Sequence, residues 1–181
     1  NTLYAATQSG TLYRVHIGGL PILSADVDIA VLIATGSPIR PMVTSGDYLV
    51  YAQGSDLHRL RLDDLQDRVI TLPGSIGALA PHDNRVFVGS GAQLRVVDLA
   101  DWTLGANELT AAAGIRSIAL EYNRLLLGLG GQGMALYELP LDWLGVNPAL
   151  SMPHFGASFE QTDLLSLSMH DASNVNGVRF T

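Results

Sequence analysis

Residues 85–102 read RVFVGSGAQLRVVDLADW. An apolar run meets a glycine turn, a second run alternates in character, and an acidic stretch leads out. Alternation over four to eight residues marks a half-buried strand, and a short glycine turn between two such runs marks a hairpin. The design recurs as TLYAATQSGTLYRVHI from Thr2, YLVYAQGSDLHRLRLDD from Tyr48, RLLLGLGGQGMALYELP from Arg124 and LLSLSMHDASNVNGVRFT from Leu164. The first apolar residues after the turns are Leu12, Leu57, Leu94, Met134 and Val178, at intervals of 45, 37, 40 and 44 residues. A period near forty suits one four-stranded blade of a β-propeller.

The other strands of each blade can be placed around these hairpins. Upstream lie IRPMVTSGD from Ile39, IGALAPHDN from Ile76, IRSIALEYN from Ile115 and FGASFEQTD from Phe155. Their small residues suit the innermost strand, because blades crowd together near the axis. Downstream, DIAVLIATG, DRVITLPG, NELTAAAG and NPALSMPH read as outer strands. No long segment keeps the i, i+3, i+4, i+7 spacing of a helix. The expected fold is therefore all-β, a propeller of four-stranded blades, with about four to five blades' worth in the chain. The repeats run over residues 2–38, 39–75, 76–114, 115–154 and 155–181, as a single propeller domain or a propeller segment. One four-stranded sheet cannot bury both its faces, so it stacks on copies of itself. The chain opens on a middle strand and ends on the partner strand of a fifth hairpin. Three arrangements stay open: part of a larger seven- or eight-bladed propeller, a five-bladed ring with irregular closure, or an arc completed by another chain.

The wording of the repeat in IGALAPHDNRVFVGSGAQLRVVDLADW and IRSIALEYNRLLLGLGGQGMALYELP resembles the LVIVD repeat of bacterial and archaeal surface propellers. Leu94, Val96, Val97, Asp98 and Leu99 fit its L-x-V-x-D strand best. Most copies here lack the proline at the exit, and Asp98 gives way to His16, Arg61 and Glu138 in other repeats. WD40 is the second family considered. Its Gly-His and Trp-Asp signatures are absent, since Trp102 and Trp143 each follow an aspartate. The LVIVD resemblance implies a location outside the cytoplasm: extracellular, cell-surface or periplasmic.

Composition narrows the function classes. Of 181 residues, 48% are hydrophobic and 15% charged, enough apolar material for one domain core. The net charge is −7, and all ten basic residues are dispersed arginines. Nucleic-acid binding needs a basic face that displaces counterions from phosphate, and none is visible. The absence of cysteine removes disulfides, thiol nucleophiles and thiolate metal ligands. The longest apolar runs, such as Ile29 to Ala34, fall far short of the ~20 residues that span a bilayer, so no membrane insertion is expected.

Several stretches bear on chemistry. In HDASNVNG, the oxygens of Asp171, Asn174 and Asn176 are of the kind calcium prefers, although the spacing is not that of an EF-hand. The competing account is a polar hairpin turn whose side chains bond their own backbone. Asp63, Asp64 and Asp67 could gather a cation or form a solvated loop, and Asp26 with Asp28 poses the same choice. None of the five histidines makes a close pair of zinc-binding spacing. His16 and His58 fall at or near equivalent repeat positions, as strand-surface residues would. GLGGQG, residues 128–133, lies between two strands and precedes no helix, so it reads as a hairpin turn and not a phosphate loop. No G-x-S-x-G elbow is present, so no catalytic residue is assigned. Trp102 and Trp143 read as inter-blade packing or rim residues.

These features favour a non-catalytic, extracytoplasmic binding or scaffolding propeller with a protein or glycan partner. It needs no cofactor unless calcium is held. One alternative is a metal-dependent hydrolase or lactonase with its site at the central channel. It would draw on the corner residues Asp47, Asp83, Asn84, Glu121, Asn123 and Asp163. Another is a structural subunit that assembles through open blade edges.

Overall fold

Each alternating hairpin, joined to the runs before and after it, folds into an antiparallel sheet. The computed structural model describes residues 2–18 and 27–144, which hold fourteen strands in four sheets. The first sheet has three strands, β1 (Thr2–Ala6), β2 (Thr11–Ile17) and β3 (Val27–Ala34). The second comprises β4 (Met42–Ser45), β5 (Tyr48–Gln53), β6 (Asp56–Arg61) and β7 (Asp67–Thr71). The third comprises β8 (Ile76–His82), β9 (Arg85–Ser90), β10 (Gln93–Asp98) and β11 (Thr103–Thr110). The fourth has β12 (Ile115–Glu121), β13 (Arg124–Leu129) and β14 (Gly133–Glu138), and a short 3-10 helix, Leu141–Leu144, follows it. Within every sheet the strands lie side by side in chain order.

The registers make the sheets superimposable residue by residue. Arg85 pairs with Asp98, Tyr48 with Arg61, Arg124 with Glu138 and Thr2 with His16. Phe87 thus corresponds to Tyr4, Val50 and Leu126, and Val88 to Ala5, Tyr51 and Leu127. After each central hairpin the next backbone N–H donates to the preceding corner's carbonyl: Leu62 to Asp47, Leu99 to Asn84 and Leu139 to Asn123, at 2.9, 2.8 and 2.7 Å. The corners between the first two strands reverse through a left-handed residue at the same place, Gly46, Asp83 or Tyr122. This explains why a polar residue recurs there: turn geometry favours Gly, Asn and Asp.

Successive sheets stack face to face, and three apolar cores lie between them. Leu12 of the first sheet packs with Leu49, Tyr51 and Leu60 of the second. Val50, Ala52 and Leu57 of the second meet Val86, Val88 and Val97 of the third. Ala78, Ala80, Phe87, Leu94 and Val96 of the third meet Ile115, Leu125, Leu127 and Leu129 of the fourth. Each sheet is therefore apolar on both faces, which is why the hairpins show apolar residues at both parities.

Inner strands come closest. β8 lies against both β4 and β12. A Cβ on Gly77 would stand 2.3 Å from the Ile115 carbonyl oxygen, and one on Gly89 would stand 2.6 Å from Ile115 Cγ2. Glycine at Gly77 of the inner strand β8 and at Gly89 of its neighbour β9 is thus required by the approach of β12.

Two strand limits differ from the sequence expectation. The outer strand of the third sheet begins at Thr103, four residues before Asn107, because pairing continues down to Asp98↔Thr103 past an irregularity at Val96. The inner strand of the second sheet begins at Met42 and not at Ile39, since Pro41 has no N–H for the ladder. Arg40 N and the Pro41 carbonyl still bond to Ala52. The outer strand NPALSMPH and the fifth repeat, residues 155–181, lie outside the described residues.

Candidate functional site

At one end of the sheets the loops from outer to inner strands meet the turns of the central hairpins. Hydrogen bonds repeat here from sheet to sheet. Ile76 N donates to Gly54 O and Ile115 N to Gly91 O, both at 2.7 Å. Gln53 and Ser90 hold the same strand position, and each reaches the loop leading to its own sheet. Gln53 Nε2 donates to Ser37 O at 2.9 Å, and Ser90 Oγ donates to Gly74 O at 2.7 Å. These contacts fix the loops as walls.

They border an open cavity of about 860 Å³, of the size of a small-molecule or peptide-side-chain site. Ser37, Pro38, Arg40 and Pro41 come from the loop into the second sheet, Gln53, Gly54 and Asp56 from its hairpin, and Ser75 to Gly77 from the entry to the third. Arg116, the second residue of β12, supplies the fourth sheet's contribution. Its counterpart in the third sheet is Gly77, so the arginine stands where the earlier repeat keeps only hydrogen.

Three charged side chains line the cavity. Asp56 accepts a hydrogen bond from Thr71 Oγ1 at 2.7 Å. Arg40 and Arg116 are exposed, and neither guanidinium has a hydrogen-bond or ion-pair partner among the described residues. A guanidinium is a planar fork of donors that matches a carboxylate in two parallel bonds. Two such forks line one cavity, beside the Asp56 carboxylate, in a chain of net charge −7. Sequence reading missed them because they are 76 residues apart and neither belongs to a motif. The one available signal was Arg116 at a position where Gly77 precedes it.

The residues singled out from sequence are distributed differently. Asp63 and Asp64 bracket Arg61, with its Nη2 2.7 Å from Asp63 Oδ2 and its Nη1 3.6 Å from Asp64 Oδ2, and they raise its pKa. Asp67 turns away to a separate cluster: its Oδ2 is 2.8 Å from His58 Nδ1 and accepts from the Tyr51 hydroxyl at 3.3 Å. The acidic trio is therefore not one cation site. His58 is also not a surface residue. Its side chain is 12% exposed and its ring stacks on Tyr51 at 4.6 Å and 8°. By register His58 corresponds to Tyr13, and His16 to Arg61, so the two histidines are three positions out of step. Burial, with Asp67 next in effect, raises the Tyr51 pKa well above its ordinary value.

Among the described residues, no group of three or more His, Cys, Asp or Glu is placed to hold a metal ion. The corners Asp47, Asp83, Asn84, Glu121 and Asn123 stand at the opposite ends of the inner strands from the cavity. The calcium candidates Asp171, Asn174 and Asn176, with Asp163, His154 and Asp26, lie outside the described residues. Gly131 and Gly133 turn the chain between β13 and β14 at φ 77°, so GLGGQG is a hairpin turn. Trp102 is buried between the second and third sheets, and Trp143 packs beside the core between the third and fourth.

Among the described residues Arg59 is the buried cation. It lies on the face of the second sheet that meets the third, where its Nη1 donates to the carbonyls of Leu99 and, at 3.2 Å, Ala100. The guanidinium carbon sits 4.6 Å from the Tyr48 ring centroid and 5.2 Å from that of Trp102. Arg85 makes the matching bond between the third sheet and the fourth, donating to the carbonyls of Asp142 and Trp143 at 2.6 and 2.9 Å.

No family model matches the chain, and no curated protein matches it in sequence. Solved structures do match it. The computationally designed Ika4 protein aligns with a TM-score of 0.60 at 16% identity, over 77% of this chain and 86% of its own. The WD40 domain of Neurospora crassa Pan2 aligns at 0.58 and 10% identity, over 76% of this chain and 43% of its own. The N-terminal domain of Nup159 aligns at 0.53 and 15%, over 81% and 44%. The chain thus spans less than half of the last two. Among the described residues no helix is long and apolar enough to cross a membrane. With four stacked antiparallel sheets and these neighbours, the fold is a β-propeller type.

Proposed function

We propose that this chain is a non-catalytic binding module whose loop face grips a carboxylate-bearing segment of a protein partner. The observation that carries this reading is the cavity walled by consecutive repeats, with the unpaired guanidiniums of Arg40 and Arg116 on its lining. Carboxylates of an incoming chain would replace water on both forks, while the loop carbonyls and Gln53 set register. The LVIVD-like wording of the repeat and the acidic, lysine-free composition support a place outside the cytoplasm, where acidic glycans offer the same carboxylate chemistry.

A display library of random peptides selected on the immobilised chain tests this. Enrichment of Asp- and Glu-containing peptides is expected, with binding at least tenfold weaker to Arg40→Ala/Arg116→Ala. Equal binding to both proteins would remove the cavity from the function. An array of acidic glycans run in parallel assigns the carboxylate to peptide or sugar.

A further inference from the structure

Two departures from the repeat meet at the loop-face cavity, and they carry opposite charge. Asp56 is the residue that leaves the central hairpin turn of the second sheet. By register its counterparts are Thr11, Gln93 and Gly133, none of them charged. Arg116 stands where the third sheet has Gly77. Both side chains line the same cavity.

Each charge is anchored on its own sheet. Thr71 Oγ1 donates to Asp56 Oδ1 at 2.7 Å across the ladder pair Asp56↔Thr71. The other carboxylate oxygen has no donor among the described residues. The stem of Arg116 crosses two glycines. A Cβ on Gly130 would stand 3.2 Å from its Nε and 3.3 Å from its Cγ, and one on Gly77 would stand 3.8 Å from its Cδ. The missing side chains leave the arginine its course into the cavity lining. Among the described residues no ion pair joins Asp56 to Arg40 or Arg116, so the cavity holds unpaired charge of both signs.

An occupant that displaces water from the cavity takes Asp56 out of water along with the arginines. A desolvated carboxylate without a counter-cation is strongly disfavoured, and a second carboxylate brought beside it adds repulsion. A segment bearing carboxylates alone therefore gains at the two forks and loses at Asp56.

Building on the reading of this cavity as a carboxylate-binding site, we propose that its occupant is a peptide segment bearing both charges. An Asp or Glu side chain meets Arg40 and Arg116, and a Lys or Arg side chain meets the free oxygen of Asp56. Asp56 is then the specificity-determining residue, rejecting purely acidic segments. Side chains i and i+2 of an extended segment share a face roughly 6.6 Å apart, so one residue of each sign at close spacing suits a cavity of about 860 Å³.

A random-peptide display library, selected in parallel on the wild-type chain, Asp56→Asn and Glu121→Gln, tests this. Asparagine still accepts the bond from the Thr71 hydroxyl, so the strand pairing is kept. Glu121→Gln removes the same unit of charge at the opposite ends of the inner strands. The wild-type chain and Glu121→Gln should enrich peptides with an Asp or Glu and a Lys or Arg within three positions of it. Asp56→Asn should keep the acidic residue and lose the basic one. It should also bind an N-acetylated glycine pentapeptide carrying two glutamates at least fivefold more tightly than the wild-type chain does. Acidic peptides without a basic residue on the wild-type chain overturn the inference and leave the carboxylate reading standing. A basic residue that persists with Asp56→Asn also overturns it. So does one that disappears with Glu121→Gln, by making overall charge the cause. No acidic enrichment on any of the three removes the carboxylate reading and this inference with it.

Discussion

Arg59 and Tyr51 show how polar groups are tolerated inside an inter-sheet core. Arg59 occupies a position equivalent to Val96, so an apolar residue is what the repeat calls for. It is stabilised instead by two carbonyls of the next sheet's exit and by the faces of Tyr48 and Trp102. Arg59→Met keeps the length but leaves those carbonyls without their donor, and a buried unsatisfied acceptor costs about 1–3 kcal/mol each way it is counted. We expect a loss of about 2 kcal/mol in urea unfolding, with Arg59→Lys recovering only part of it; unchanged stability would mean water replaces the donor. For Tyr51 the sign follows from its raised pKa. Above the ordinary value of 10.0 an unfolded tyrosine ionises while the folded one keeps its proton, so the unfolded state binds fewer protons and stability falls as pH rises. Below pH 10 this contribution is fully present. Tyr51→Phe should flatten the decline of thermal midpoint between pH 10 and 12, and an equally steep decline in the variant would assign it to other groups.

At the scale of the element, inner-strand identity is decided by what lies across from it. Gly77 has negative φ and its backbone is ordinary β, yet a single Cβ would strike the Ile115 carbonyl at 2.3 Å. Gly54 presents the opposite case, with nothing within 4 Å but φ +63°. Gly77→Ala should therefore separate the third sheet from the fourth and cost more than Gly54→Ala, whose left-handed strain is worth about 1–2 kcal/mol. Thermal unfolding of the two variants side by side checks this. If Gly54→Ala proves the more damaging, turn geometry and not sheet approach limits these strands. The paired contrast matters because both residues look alike in sequence: isolated glycines near a strand end.

For the whole molecule, stability depends on stacking, since no sheet here holds a core of its own. Each of the three cores draws on two neighbouring sheets. The loop-face cavity is likewise a property of the stack. It takes lining from three successive sheets and would not exist in any one of them.

The sequence alone determined the period, the hairpins and the all-β fold, because alternation and turn glycines are local signals set by the backbone's own geometry. It also read Trp102 and Trp143 as inter-blade packing or rim residues, of which the structure shows packing, and put the GLGGQG stretch in a turn. It misplaced His58 by matching it with His16, from which the strand register separates it by three positions; an odd shift puts a side chain on the other face of a strand, here the one stacked on Tyr51 and bound to Asp67. It could not join Arg40 to Arg116, nor part Asp67 from Asp63 and Asp64. Those relations depend on how neighbouring sheets are rotated and spaced, and on which strand edge a loop crosses. Only tertiary packing decides these, because no residue's local preference records the sheet that will lie against it.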